Sequence, residues 1–458
     1  MTSPPSILWF RRDLRFEDHP ALAKAARRGP VLALFVLDPA LMRLAGLPRQ
    51  AFLLRTLRDM DQRLRALGAS LAVQSGRPEE VVPEIASRVG ATEVHISADF
   101  APYGSARDLR VARALGPVPL VATGSPYAVS PPRLLTTAGQ PYRVFTPFFR
   151  AWRQHGWPDP APSGPGLVDW VTTPSEAIPG EPMLPPAMVL PRAGEEAARD
   201  AWENFREEHL AHYAARRDRP DLHATSRLSA YLHFGVLHPR TLLCALGPEN
   251  ERYMTELAWR EFYASVLWSW PQSAHANFDA RMNGLQVEKG PEAERLFEAW
   301  RQGRTGYPII DAGMRQLEAE AWMHNRVRML VASFLVKDLH LDWRWGARHF
   351  MRNLVDGDLA SNQHGWQWAA GTGTDASPYF RIFNPVTQSK RFDPEGDYIR
   401  RWVPELRGVA APYVHEPWRS PNPHGYVNPI IDHDVERKRS LAAYETLRRR
   451  LPPTPADS

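Results

Sequence analysis

The stretch from Arg304 to Pro404 sets tryptophans, acids and carboxamides into segments of helical period. Trp322, Asn325, Arg326 and Met329 fall at i, i+3, i+4 and i+7, which predicts one shared helical face, with Leu330, Phe334 and Leu335 on the others. A charged and amide-bearing stripe on an otherwise apolar helix must meet polar partners, either neighbouring backbone or a ligand. Asp356-Gly357-Asp358 follows as a tight turn with two acids, then Asn362, Trp366 and Trp368. Two residues apart on a helix, Trp366 and Trp368 are expected on opposite sides, one toward a cofactor and one toward a substrate. Glu256, Trp259, Arg260 and Tyr263 repeat the i, i+3, i+4, i+7 spacing and present a carboxylate, two rings and a cation together. That face reads as a recognition surface or as a surface ion pair with its neighbours. Thr225 to Ser229, with Tyr213 twelve residues earlier, offers hydroxyls at a helix start. This suits either an anion site or an ordinary N-cap. The acids of the 356–358 turn lack the clustered oxygen or histidine ligands a divalent cation needs, so no metal is expected. A buried acid needs a partner, and Arg328 is the expected counter-charge of Asp356.

The elements that must carry these residues are legible in outline. A chain of 458 residues exceeds the usual size of one core, so two domains are expected. Its 43% hydrophobic and 23% charged residues suit a soluble globular protein, and a net charge of +5 is compatible with a polyanionic partner. The single cysteine, Cys244, excludes an intramolecular disulfide framework and any CxxC site, and fits a reducing cytoplasm. No apolar run reaches membrane-spanning length, and RRDLRFED places acids where a twin-arginine signal needs an apolar stretch. From residue 6 to 123 the apolar runs ILWF, VLALFVL, SLAVQS, EVHIS and VPLVA alternate with helical segments, predicting a doubly wound α/β domain with a parallel sheet. No GxGxxG follows the first run, so this domain need not hold a dinucleotide. Proline and glycine dominate from Pro126 to Arg192, read as an irregular linker, and helical periodicity then continues almost to the end. The expected boundaries are 1–126 for the α/β domain, 127–194 for the linker and 195–458 for an all-α domain.

The segments ILWFRRDLRFEDHPAL, TGYPIIDAGMRQL, WMHNRVRM, DGDLASNQHGWQW, TDASPYFRIFNP, IRRWVPEL and VHEPW together resemble the cryptochrome/photolyase flavoproteins, and within them the class I cyclobutane pyrimidine dimer photolyases. The resemblance spans nearly the whole chain. It implies a non-covalent FAD, active as the reduced anion, in the helical domain, and light-driven repair of cyclobutane pyrimidine dimers. Thr225, Ser226, Arg227, Leu228 and Ser229 would hold the pyrophosphate, with Tyr213, Tyr253 and Trp322 alongside and Arg260 as cation. Arg328, Asp356, Gly357 and Asp358 would hold the flavin ring and ribityl chain, with Asn325 nearby and Asn362 facing N5. Glu256 and Trp259 would take the damaged bases, Trp368 the opposite wall, and Tyr263, Asn325, Arg326 and Met329 the remainder; Arg217, Arg326 and Gln388 would hold phosphates or the flipped lesion. Trp366 and Trp343 match an electron relay. The segment that usually carries its solvent-side member, MNGLQVEKGPEAERLF, has no tryptophan, leaving Trp345 or Trp300 as substitutes.

Folate-using relatives carry a carboxylate in the loop matching DFAPYGSARD, where this chain has Tyr103-Gly104; with GSPYAV, that leans toward a deazaflavin. A second, antenna chromophore is therefore expected as deazaflavin, flavin or folate, or its pocket is empty. The partners expected are UV-damaged DNA, with no membrane and no obligate protein partner, for a monomer in the cytoplasm that joins the nucleoid when DNA-bound. Three alternatives share some of these features. A cryptochrome-type light sensor would use the same flavin site but usually carries a long C-terminal extension, where this chain has LPPTPADS. A six-four photoproduct enzyme would need a catalytic histidine in WMHNRVRM, where His324 stands beside Asn325 and Met329. A simple nucleic-acid-binding protein would leave Asp356, Arg328 and Asn362 unexplained.

Overall fold

The computed structural model describes residues 3–375, 381–421 and 425–450. Part of the TDASPYF motif, 376–380, and the LPPTPADS tail, 451–458, lie outside the described residues.

Five short apolar runs form the expected sheet: β1 (Ser6–Phe10), β2 (Val31–Leu37), β3 (Ala72–Ser75), β4 (Val94–Ile96) and β5 (Leu120–Ala122). All pairs are parallel and the order is β3-β2-β1-β4-β5. The direction of winding reverses between β1 and β4, the switch point of a doubly wound sheet. β1 and β2 are buried at every position, which is why their sequences read as continuous apolar runs rather than alternating ones.

The proline-rich linker is more structured than its composition suggests. FTPFFRAWRQH forms a helix, Phe145–His155, because Phe145, Phe148 and Trp152 recur on one side and are buried. Farther on, β6 (Trp170–Val171) pairs with β2 and extends the sheet. Pro147 falls in the first turn of that helix, where a missing N–H costs nothing, and the other prolines and the glycines lie outside both elements.

The remainder is helical. Glu251–Ser269 runs for 19 residues with no glycine or proline inside, and stops where Trp270 precedes Pro271. An apolar cluster continues from Leu8 and Phe10 of the sheet through Phe148 and Trp152 to Tyr253 and Phe262 of this helix, so the α/β part and the helical part share a core. Full burial of each such side chain contributes about 1.5–3 kcal/mol before entropy is counted. A second cluster, around Trp300, Phe350, Trp366 and Tyr398, holds the later helices. No helix among the described residues is long and apolar enough to cross a membrane.

Candidate flavin and nucleic-acid site

Most of the residues singled out above surround one cavity of about 530 Å³, within the range of small-molecule sites. Most of its wall comes from four places. The 251–269 helix supplies Tyr253, Glu256, Trp259, Arg260 and Tyr263. The segment before the Ser229–Phe234 helix supplies Thr225, Ser226, Arg227 and Leu228, and the helix itself Ser229. Asn325, Arg326, Arg328 and Met329 come from Asn325–Ser333, and the 356–358 turn opens the Leu359–Ala370 helix.

One expected face is corrected. Trp322 is not helical: the preceding helix, Pro308–Glu320, ends at Ala321 in a left-handed conformation (φ 49°), and the next helix starts at Asn325 with His324 as its cap. Trp322 reaches the cavity from this break. Its indole donates to Ser229 Oγ at 3.3 Å, and the Arg227 guanidinium lies 4.2 Å over its ring. Arg227 is itself left-handed (φ 51°) and pairs with Glu320 at 2.7 Å, so its charge is already engaged. Trp366 and Trp368 both border the cavity, which spans more than one side of their helix, from Ser361 and Asn362 to Gly365.

The acids of the turn are held by separate arginines. Asp356 Oδ2 accepts from Arg328 Nη2 at 2.8 Å, and Arg328 Nε donates to Met323 O at 2.8 Å. Asp358 accepts from Arg12 Nη2 at 2.6 Å, and its other oxygen caps the helix by accepting from Ser361 N at 2.9 Å. Burial alone would raise the Asp358 carboxyl, but Arg12, then His233 and Arg260, outweigh it and hold the group below its usual range. Burial, reinforced by Arg12, Arg49 and Arg260 against the pull of Asp358, drives His233 well below its usual range. Arg12 and Arg49 come from the α/β domain. The sequence offered no local signal for either, because each meets the turn from more than 300 residues away. Gly357 is required by this packing: a Cβ there would lie 2.2 Å from Arg49 Nη1.

Arg260, expected as a phosphate partner, gives its fork to the carbonyls of Pro126 and Leu232 at 2.9 and 3.0 Å and lies 4.9 Å over Tyr127. It acts on the site through its charge. Tyr213 is buried, and Tyr253 donates to Ser226 Oγ at 3.0 Å. Asn362 directs its amide nitrogen to Ala347 O at 3.1 Å and to Gln363 Oε1 at 2.8 Å, which leaves its side-chain oxygen as the acceptor.

Trp259 stacks on Phe145 with centroids 3.7 Å apart and planes within 6°. Phe145 was not foreseen, since its helix lay inside the presumed linker. Glu256 accepts from Arg217. Gln388 does not reach this cavity. It lines an adjoining groove of about 370 Å³ with Asp218, Arg381, Arg391 and Phe392, and Arg326 borders both spaces. His324 is outside the cavity lining. It is buried, its Nδ1 accepts from Arg326 N at 3.2 Å, and burial chiefly takes its pKa down to about 4.

One chain of ring contacts leads out from Trp366, and Trp343 shares a helix with a glycine that packs against Trp366. Gly346 sits against its ring so closely that a Cβ would be 2.0 Å from Cη2, and Trp343 is three residues earlier on the same helix, Trp343–Asn353. The Trp343 indole donates to Asn277 Oδ1 at 2.7 Å. On the other side, Trp300 lies 6.1 Å from Trp366, Phe297 lies 5.7 Å from Trp300, and Trp345 lies 5.3 Å from Phe297. Trp300 is 0% exposed, so it cannot be a solvent-side residue by itself; Trp345 is partly exposed.

Several buried polar atoms around the cavity make no hydrogen bond: Asp356 Oδ1, Arg49 Nη1, His233 Nδ1 and Arg217 Nε. Such atoms are costly unless a ligand satisfies them. Hydroxyls, paired acids and unsatisfied donors around an apolar floor fit a large phosphate-bearing, nitrogen-rich cofactor.

Sequence comparison decides which one. The profile of the FAD binding domain of DNA photolyase matches residues 253–446, and that of DNA photolyase matches residues 6–165. The chain belongs to the DNA photolyase family. Its relatives include the deoxyribodipyrimidine photo-lyase of Halobacterium salinarum, 40% identical over 96% of this chain and 99% of that one. A bacterial class III photolyase from Agrobacterium tumefaciens superposes with a TM-score of 0.90 at 35% identity, covering 98% of each chain. An archaeal photolyase from Sulfolobus tokodaii, solved with two FAD molecules, gives 0.84 at 30% identity over 96% of this chain and 100% of that one.

Around the Tyr103-Gly104 segment, tied above to the antenna chromophore, the chain places its own side chains. The Trp9 ring has Arg11 and Arg107 at 4.7 and 5.1 Å, Arg11 pairs with Asp108 at 2.7 Å, and Tyr103 donates to Asp38.

Proposed function

We propose that the protein is a light-driven DNA repair enzyme that splits cyclobutane pyrimidine dimers. The observation that carries this reading is the convergence on one cavity of the Asp356–Arg328 and Asp358–Arg12 pairs with Asn362 and with the Glu256/Trp259 face. FAD, when bound in its reduced form and excited by light, supplies the single electron that opens the cyclobutane ring and takes it back afterwards.

This chain's residues do the rest. Thr225, Ser226 and Ser229 offer hydroxyls to the pyrophosphate, with Tyr213, Tyr253 and Trp322 packed beside them. Asp356 and Asp358, each with its own arginine, hold polar edges of the ring and ribityl chain. The uncharged Asn362 accepts a hydrogen bond without adding negative charge beside a flavin that works as an anion. Enzymes acting on a base within a duplex, photolyases included, take the target nucleotide out of the stack. Trp259, backed on one face by Phe145, stacks on the flipped bases with its other face, and Trp368 closes the opposite side. Glu256 hydrogen-bonds the bases, positioned by Arg217, and Tyr263, Asn325, Arg326 and Met329 complete the pocket. Arg326 and, in the adjoining groove, Gln388 hold the backbone. Trp366 and Trp343 recharge the cofactor, with Trp345 as the outer member reached through Trp300 and Phe297.

His324 lies outside the cavity lining, which favours the dimer enzyme over a six-four enzyme that would need a histidine at the lesion. The expected setting is a cytoplasmic monomer on the nucleoid with no obligate protein partner, and the antenna chromophore is open between deazaflavin, flavin and folate. The test is the absorption spectrum of gently purified protein together with binding to a dimer-containing duplex. A flavin spectrum and preference for the damaged duplex are expected. Protein that neither carries nor takes up FAD overturns the reading.

A further inference from the structure

Where the cavity adjoins the groove, four charged side chains alternate. Glu256 accepts from Arg217, Arg217 Nε lies 3.6 Å from Asp218 Oδ1, and the same oxygen is 2.9 Å from Arg326 Nη2. Asp218 thus serves two arginines, one lining the cavity and one lining both spaces. Its side chain is 34% exposed, so it faces whatever enters the groove, while the arginines are at 9% and 16%. Arg326 also donates from Nη1 to Met329 Sδ at 3.7 Å and lies 4.5 Å over the Phe392 ring. The Nε atoms of Arg217 and Arg326 are both buried without a hydrogen-bond partner, so each arginine keeps donor capacity beyond its present pairs. Burial tends to raise the Asp218 carboxyl, but Arg326 and Arg217 outweigh it, and the group stays anionic in the neutral range.

A pair this exposed adds little to folding. Its consequence is electrostatic. DNA affinity comes mainly from arginines that neutralise phosphates, and it is blind to sequence and to damage. An arginine already holding a carboxylate contributes less to that blind term, because the phosphate must displace an anion and approach another negative charge.

Resting on the repair reading above, we propose that Asp218 is a specificity-determining positioning residue: it keeps Arg217 and Arg326 in the arrangement that receives an extruded dinucleotide, and so withholds them from the phosphates of undamaged DNA. In the lesion complex Arg217 stays on Glu256 and Asp218 stays between the two arginines, so removing its charge changes that complex little. Without a lesion the pocket faces the DNA backbone, and an arginine freed of Asp218 adds a phosphate contact.

The experiment measures equilibrium binding of parent, Asp218→Asn and Asp218→Glu to a dimer-containing duplex and to its undamaged twin across a salt series. Glu445→Gln, an exposed site on the terminal helix, controls for net charge, and flavin absorbance reports cofactor retention. Asp218→Asn should bind undamaged duplex about fivefold more tightly, with a salt slope steeper by about one to two, as one or two further phosphates are neutralised. Its affinity for the damaged duplex should change less than about twofold, so that discrimination falls several-fold. Asp218→Glu should restore discrimination, and Glu445→Gln should leave it at the parent value. Equal tightening on both duplexes, or an unchanged ratio, overturns the inference while leaving the repair reading intact. Loss of FAD and of all binding in Asp218→Asn, without rescue by glutamate, makes the residue structural and also overturns it. A parent protein that does not prefer damaged duplex overturns the repair reading and this one with it.

Discussion

Arg12, just past the first strand, donates to Asp358 at 2.6 Å across 346 positions of chain, and so ties the α/β domain to the turn that opens the 359–370 helix. Asp358 also caps that helix, so one carboxylate joins the domains and orients Asn362, Trp366 and Trp368. Because Arg12, His233 and Arg260 hold the Asp358 carboxyl below its unfolded value of 3.8, its contribution is fully present above about pH 4 and is lost as pH falls toward the lower folded value. Arg12→Ala should cost on the order of 3–5 kcal/mol at neutral pH, as expected when one partner of a buried pair is removed. Acid titrations followed by circular dichroism should show the variant unfolding at higher pH than the parent. Coincident titrations would argue that the pair is not a structural tie.

Asp356→Ala should release the flavin. Arg328 would keep its bond to Met323 O but lose its counter-charge, a change of about 3–5 kcal/mol for such pairs. The ratio of flavin to protein absorbance after gel filtration, and the FAD dissociation constant by fluorescence, check this. Unchanged affinity would place the Asp356–Arg328 pair outside the cofactor site.

Glu256→Ala and Trp259→Ala should each weaken binding of a dimer-containing duplex by roughly 1–3 kcal/mol, from loss of a buried hydrogen bond or of stacking. The flavin spectrum should be unaffected. Phe145→Ala should act in the same direction as Trp259→Ala, since it removes the ring that backs the tryptophan at 3.7 Å. A Phe145 variant with parental affinity would mean that Trp259 needs no support.

Trp366→Phe and Trp343→Phe should block photoreduction of oxidised flavin while sparing repair by chemically reduced enzyme. Trp345→Phe and Trp300→Phe should shorten the charge-separated state in transient absorption, because the contacts from Trp366 through Trp300 and Phe297 lead to Trp345. If both variants and the double variant photoreduce like the parent, the route ends at Trp343 or leaves through a tyrosine.

What could be read from sequence followed from periodicity. β1 and β2 are apolar because they are buried on both faces, and the Glu256/Trp259/Arg260/Tyr263 face holds because a 19-residue helix runs unbroken beneath it. The Trp322 to Met329 face failed at a point where periodicity is silent. Ala321 takes a left-handed turn that alanine does not announce, and histidine is not a residue from which an N-cap is inferred. Arg12, Arg49 and Phe145 were missed for another reason. Each enters the site from a distant element, and a single sequence records spacing along the chain but not which surfaces meet.

The most direct test of the account is to give the chemically reduced, FAD-loaded protein a duplex with one cyclobutane pyrimidine dimer and to follow dimer loss under blue light and in darkness. The account predicts restoration of intact pyrimidines in the light, none in the dark, and strong loss of light-driven repair at subsaturating duplex in Trp259→Ala. A protein that binds FAD and DNA yet leaves the dimer intact under illumination would contradict it.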